Sequence, residues 1–267
     1  MSARIAEDLG FEAGMLAGSV ASMSVLGAPD LLVLTLTELA EQVRRICRAS
    51  ALPLLVDADH GFGNALSVMR TVQELEDAGA AALSIEDTAL PQEFGERQAR
   101  LVPLEEGVGK MRAALAARRD PEVVIFARTS ALAVSSLEDC IERLRAYEAA
   151  GVDALFLVGA HTLDQLRAVH TATRLPLLCL FDGELRDSSQ LARLGVRIAL
   201  QGHQPVWAAV QAVHDTLAAM RRGTPPAELD RQPSPQLRAR VLRDAEYENA
   251  MREFLLPQDA EHGAPNT

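Results

Sequence analysis

Lysine is almost missing from this sequence. Lys110 is the only one among 267 residues, and arginine supplies nearly all of the 26 basic side chains. Lys110 falls within a helical pattern, which leaves no lysine at the end of a strand and rules out Schiff-base chemistry. Cysteine is sparse as well. Cys47, Cys140 and Cys179 lie far apart without CxxC spacing, so there is no zinc or disulfide framework, and the usage fits a reducing cytoplasm. Positive charge is outnumbered: 37 acidic residues against 26 basic ones give a formal charge of −11. A nucleic acid or an anionic membrane needs a basic face, and this balance argues against both. Long apolar runs are lacking too. Leu31–Leu36 is far too short to span a bilayer, and Glu7 and Asp8 stand where a signal peptide needs an apolar core.

What is present is a globular composition, 48% apolar and 24% charged, in a chain long enough for two average domains or one α/β barrel. Short β-rich runs alternate with amphipathic helical stretches, the pattern of βαβ units and a parallel sheet. Strands are expected at Ala13–Ala17, Leu54–Asp57, Ala82–Glu86, Val123–Arg128, Ala154–Val158, Leu177–Leu180 and Arg197–Leu200. Helices are expected at Thr37–Ala49, Ala65–Ala78, Glu105–Arg118, Ser136–Ala149, Leu163–Ala172 and Pro205–Arg221. Gly79, Gly151 and Gly195 close helical patterns just before strands, and Ser136 with Asp139 marks a helix start. Ser2–Leu9 reads as a helix with no strand ahead of it, as if the chain began partway through a repeat. Seven strands suit an open doubly wound sheet or a barrel, which closes with eight. After Arg222 a Gly- and Pro-interrupted stretch leads to one charged helix, Gln236–Phe254, and a frayed end. Residues 1–223 therefore form the βα domain and 224–267 a linker with a C-terminal helix.

Chemistry in such folds sits at the C-terminal ends of the strands. Those ends read Gly18-Ser19-Val20, Asp57-Ala58-Asp59-His60, Glu86-Asp87-Thr88, Arg128-Thr129-Ser130 and Gln201-Gly202-His203. Asp57 and Asp59, with Glu86 nearby, suit a hard divalent cation that keeps some of its waters; a solvated loop with an Asx turn is the simpler reading. The spacing is not that of an EF-hand, because Phe62 and Val68 occupy the glycine and glutamate positions. His60 is expected to orient the loop. Arg128 needs an anionic partner, either Glu86 or Asp57 or a substrate carboxylate gripped bidentately. Ser19 is no hydrolase nucleophile, since Ala17 and Ala21 replace the glycines of the elbow. It is either a turn hydroxyl or, with the Val20 amide, part of an anion cradle. His203 is as well suited to a structural role as to catalysis. Gly61-Phe-Gly63 and Gly107-Val-Gly109-Lys110 lack the partners of phosphate loops.

The stretches Gly18–Ser22, Asp57-Ala-Asp-His-Gly-Phe-Gly-Asn64, Ser84-Ile-Glu-Asp-Thr88, Glu105–Lys110 and Ala127-Arg-Thr129 resemble the isocitrate lyase/phosphoenolpyruvate mutase superfamily from Met1 to about Arg222. Gly18-Ser19-Val20, the run Leu185–Val196 and Gly202-His203 look most like its oxaloacetate decarboxylase branch. The lyase loop Lys-Lys-Cys-Gly-His is absent, and Pro91–Leu101 stands there without cysteine. The resemblance implies a (β/α)8 barrel, here lacking its first strand, with a helix and a strand expected upstream of Met1. It implies a homo-oligomer, dimer or tetramer, with C-terminal helices swapped between subunits. It implies Mg²⁺, with Mn²⁺ as an alternative, bound directly by Asp57 and through water by Asp59 and Glu86. Ser19 would hold a carboxylate of a small 2-oxo dicarboxylic acid, and Arg128 and His203 would contact its oxygens. The expected reaction is decarboxylation of oxaloacetate to pyruvate. Another C–C or C–P lyase, or a barrel that binds without turnover, are the competing readings. Phe181 with a nearby one-residue deletion, where relatives have Tyr, and Ser130, where they have Asn or Asp, depart from the pattern.

Overall fold

The computed structural model describes residues 1–230 and 232–256. In chain order the elements are α1 (Ser2–Asp8), β1 (Gly14–Leu16), α2 (Gly18–Leu26), α3 (Leu36–Ala49), β2 (Leu54–Asp57), α4 (Ala65–Asp77), β3 (Ala82–Glu86), α5 (Leu104–Ala117) and β4 (Val124–Thr129). There follow α6 (Ala131–Val134), α7 (Leu137–Ala150), β5 (Ala154–Leu157), α8 (Leu163–Ala172), β6 (Leu177–Leu180), α9 (Ser188–Arg193), β7 (Val196–Leu200) and α10 (Gln204–Arg221). A 3-10 turn at Pro226–Glu228 precedes α11 (Pro235–Leu242) and α12 (Asp244–Phe254). All seven expected strands are present, each within a residue of its expected ends.

The strands form one parallel sheet in the order of the sequence, β1 to β7. Residues of alternate parity along a strand face opposite sides, and the sheet curls so that one side becomes an inner layer. Leu55, Phe126, Ala154, Phe156 and Leu178 pack there, with Met15, Val124 and Ile198 partly buried against them. The other parity, including Leu54, Val56, Leu83, Ile85, Ile125, Leu155 and Cys179, meets the helices in the larger core. The curl brings the two edges close, because the residues just beyond β1 and β7 share a hydrogen bond, Ser19 Oγ to His203 Nε2 at 2.9 Å. Among the described residues β1 and β7 themselves are not paired.

Helix ends follow their local chemistry. Thr35 and Glu38 form a reciprocal capping box at α3, Asn64 caps α4, and Ser136 accepts from the Asp139 amide at α7. Gly151 ends α7 in the left-handed region, at φ 98°. The expected single helix Gln236–Phe254 is corrected: it breaks into α11 and α12 at Arg243, whose φ is 62°. Arg243 pairs there with Asp8 at 2.9 Å, so an ion pair to α1 holds the break that composition does not signal. Helices α2 and α6 were also not expected, each being short or opening directly on a strand end, whereas α9 ends just before Gly195, where a helical pattern was expected to close. The expected fraying of the last ten residues lies outside the described residues.

One close approach fixes how α5 meets α7. A Cβ placed on Gly107 would overlap the hydroxyl of Tyr147. That hydroxyl is fully buried and donates to Asp87 at 2.7 Å, so it cannot swing aside. Gly107→Ala is therefore expected to destabilise the fold by ~1–3 kcal/mol as an overpacking change, read as a lowered urea midpoint at unchanged m-value.

Candidate active site

Strand phase places the polar rim. Asp57 continues the inward parity of Leu55, Glu86 that of Ala82, and Arg128 that of Val124 and Phe126. Register then sets neighbours side by side: Asp57 opposite Ser84, Glu86 opposite Arg128, and Arg128 opposite Phe156. These side chains thus crown the apolar inner layer at its C-terminal end.

Arg128 sits at their centre. Its Nη1 is in ion-pair contact with Asp57 Oδ2, and its Nε lies 3.3 Å from Glu86 Oε2. The guanidinium also lies over the Phe156 ring, 5.2 Å from its centroid. Both expected ion pairs of Arg128 are therefore made. Asp57 Oδ1 accepts from Ser84 Oγ at 3.1 Å and from the Asp59 amide at 3.3 Å. Glu86 Oε2 accepts from Thr88 Oγ1 at 3.1 Å.

Asp59 approaches from the loop after β2, in the left-handed region at φ 47°. Its carboxylate fills the space where a Cβ on Gly18 would stand, 2.7 Å from Oδ1, so glycine at the start of α2 is a condition of that approach. Burial, reinforced by Asp57, Glu86 and Asp30, raises the Asp59 pKa to about 8. Burial likewise raises Glu86, with Arg128 opposing it. Asp30 escaped the sequence reading because it follows no strand; it stands in the loop between α2 and α3. Its pKa is raised first by burial and next by Asp57, while Arg128 and His203 lower it, which puts it at the same rim.

Ser19 lies in the first turn of α2 rather than in a loop, and its hydroxyl meets His203, the residue capping α10. His60 is buried and held neutral, its pKa lowered to about 4 by burial and then by Lys110. Phe181 packs against the core between sheet and helices, not with the inner layer.

Three buried carboxylates, Asp57, Asp59 and Glu86, and the exposed Asp30 beside one guanidinium leave a surplus of acidic groups, and the donors are all oxygen. That is the chemistry of a hard divalent cation site. Among the described residues no three His, Cys, Asp or Glu side chains converge closely enough to form an all-protein cage.

The sequence profile of the phosphoenolpyruvate phosphomutase family matches residues 1–221. The chain is 61% identical over 247 residues to an oxaloacetate decarboxylase of Bradyrhizobium diazoefficiens, covering 92% of this chain and 86% of that one. It is 61% identical over 246 residues to one from Rhodopseudomonas palustris, covering 92% and 85%. Among solved structures, a phosphonopyruvate hydrolase in complex with oxalate and Mg²⁺ superposes with a TM-score of 0.84 at 31% identity, covering 96% of this chain and 91% of that one. A 2,3-dimethylmalate lyase gives 0.82 at 30%, covering 94% and 89%.

Charge crowding at Asp59 has a measurable consequence. Asparagine tolerates the left-handed backbone and removes the cost of protonating a buried carboxyl whose pKa is raised to about 8. Asp59→Asn is expected to stabilise the protein in EDTA by on the order of 1 kcal/mol, seen as a higher melting temperature. The further rise in melting temperature that added Mg²⁺ gives the wild type should shrink in the same variant.

Proposed function

Because this chain belongs to the phosphoenolpyruvate phosphomutase family, we propose that it is a carboxy-lyase that decarboxylates oxaloacetate to pyruvate and CO₂ with the aid of a divalent cation. The observation that carries the reaction class is the convergence of Asp57, Asp59 and Glu86 around Arg128 at the sheet's inner rim. The substrate choice is supported by the decarboxylase relatives at 61% identity, against about 30% for the lyase and hydrolase neighbours.

Asp57 would hold the cation directly, and Asp59 and Glu86 would hold it through waters. The oxygen-only donor set suits Mg²⁺ best, and Mn²⁺ is compatible with it. When bound, the cation supplies Lewis-acid stabilisation of negative charge on the keto oxygen. Arg128 adds a fixed positive charge beside the same oxygen, already oriented by Asp57, Glu86 and Phe156, so little reorganisation is needed as charge develops. Ser19, with the amides at the start of α2, holds a substrate carboxylate. His203, one hydrogen bond from Ser19, contacts a substrate oxygen from the opposite edge of the sheet. Loss of CO₂ breaks the C–C bond and leaves its electron pair on the ketone fragment as an enolate, whose carbon then takes a proton from water to give pyruvate. The inner layer below the rim is apolar and excludes water from that side.

We read the curled sheet as a (β/α)8-type barrel lacking its first strand, the vacant place lying between β7 and β1, with 224–267 as linker and helical extension. The exposed apolar row Trp207, Val210, Val213, Leu217 and Met220 on α10 supports a homo-oligomer, dimer or tetramer. No described helix is long and apolar enough to cross a membrane, and a cytoplasmic location accords with the cysteine usage.

A coupled pyruvate assay tests the function. Oxaloacetate turnover should exceed a blank containing the same Mg²⁺ without protein, and should vanish with EDTA. Asp57→Ala should lower it by at least about a hundredfold. Oxaloacetate binding without turnover would instead favour a barrel that only binds.

A further inference from the structure

Lys110 has no part in the chemistry above, yet it is the only lysine in the chain and one of its most buried polar residues, at 2% exposure. It stands on α5 and makes no ion pair among the described residues. Its Nζ donates at 3.0 Å to the backbone carbonyl of His60, fifty positions away. Burial lowers its pKa, while Glu106, Glu86 and Asp87 act to raise it. An ammonium placed at such cost for one backbone carbonyl calls for a reason beyond satisfying that carbonyl.

The carbonyl belongs to the turn that carries Asp59. Four of five successive residues there have positive φ: Asp59 at 47°, Gly61 at 78°, Phe62 at 58° and Gly63 at 146°. For Asp59 and Phe62 this backbone is unfavourable and persists only when its surroundings over-determine it. Within the turn, Gly61 N donates to Ala58 O at 2.8 Å and Asp59 N to Asp57 Oδ1 at 3.3 Å; three further tethers come from other elements. Glu86 N donates to Asp59 O at 2.8 Å, Thr71 Oγ1 on α4 donates to Gly61 O at 3.0 Å, and Lys110 on α5 grips the residue between them.

We propose that Lys110 is a positioning residue for the divalent-cation site: by holding the His60 carbonyl it fixes the turn that aims the Asp59 carboxylate at the rim beside Asp57. This rests on the cation-binding reading given above. Lys110 acts from behind the rim, through backbone, and touches neither substrate nor cation.

The sign of the effect separates this role from simple electrostatics. Removing a nearby positive charge by itself strengthens the attraction for a cation. Loosening the turn weakens it. Mn²⁺ titration of the full chain, followed by electron paramagnetic resonance without substrate, measures which prevails. Lys110→Met is expected to weaken Mn²⁺ binding by about tenfold, the scale for removing an outer support of a metal site. Lys110→Arg, which keeps charge and donors, is expected to recover most of that loss. Lys110→Met binding Mn²⁺ as tightly as the wild type, or Lys110→Arg binding as weakly as Lys110→Met, would overturn the proposal. A second measurement needs no variant. With lysine labelled by ¹³C at its ε carbon, the protein gives a single resonance, which should shift as Mg²⁺ is added and saturate with it. A resonance that stays in place while the wild type binds cation would also overturn the proposal. A wild type that binds no Mn²⁺ at all would remove the cation-site reading itself, and this proposal with it.

Discussion

Like charge at close quarters governs this molecule. Asp30, Asp57, Asp59 and Glu86 share one rim with a single guanidinium, and three of the four are drawn away from water. Buried carboxylates repel one another and lose hydration, so such a cluster works against folding unless something positive joins it. Arg128 answers part of the demand. A lysine in its place would offer one point charge, whereas the fork reaches Asp57 with one nitrogen and faces Glu86 with another while its plane lies on Phe156. On the proposed reading the rest of the demand falls to a divalent cation, which would link its affinity to the strain that burdens the metal-free protein.

The scaffold behind the rim is arranged to keep those charges from drifting apart. Parallel register sets Glu86 directly opposite Arg128, and strand parity forbids either from turning outward without moving its whole strand. One residue further on, Asp87 faces the opposite way into the helical layer. There it accepts from Tyr147 at 2.7 Å and from Arg143 at 3.2 Å, and Arg143 also reaches the Val102 carbonyl and Asp139. The adjacent pair Glu86-Asp87 thus serves two sides of the sheet, one carboxylate for the site and one for anchorage of α7. Close packing of Gly107 on Tyr147 carries that anchorage into α5, the helix that bears Lys110.

Strand positions were legible because apolar runs ending in polar residues leave little freedom in a parallel sheet: Leu54–Asp57, Ala82–Glu86 and Leu177–Leu180 agree with the expected ranges at both ends. Asp57, Glu86 and Arg128 could be named together for the same reason, since each closes such a run. Asp30 could not, because its place depends on how the segment after α2 folds back over the sheet, a tertiary fact without local periodicity. The break at Arg243 was hidden in the same way. Arginine carries no preference for a left-handed backbone, and the ion pair with Asp8 that accompanies it spans nearly the whole chain. Helix α9 was legible only by its end at Gly195; at six residues it is too short for an apolar period to give its bounds, although Asp187 caps its start.

The absence of lysine from the rim itself has a physical sense. A surplus of carboxylates at one rim attracts any mobile ammonium within reach, and a flexible lysine near it would compete with a cation for the same oxygens. Arginines held by planar, directed pairs are poorer competitors, since their geometry is satisfied by fixed partners. The one lysine that is kept is immobilised in α5 with its charge turned onto a backbone carbonyl. Its placement puts a positive charge behind the rim without adding a donor to it.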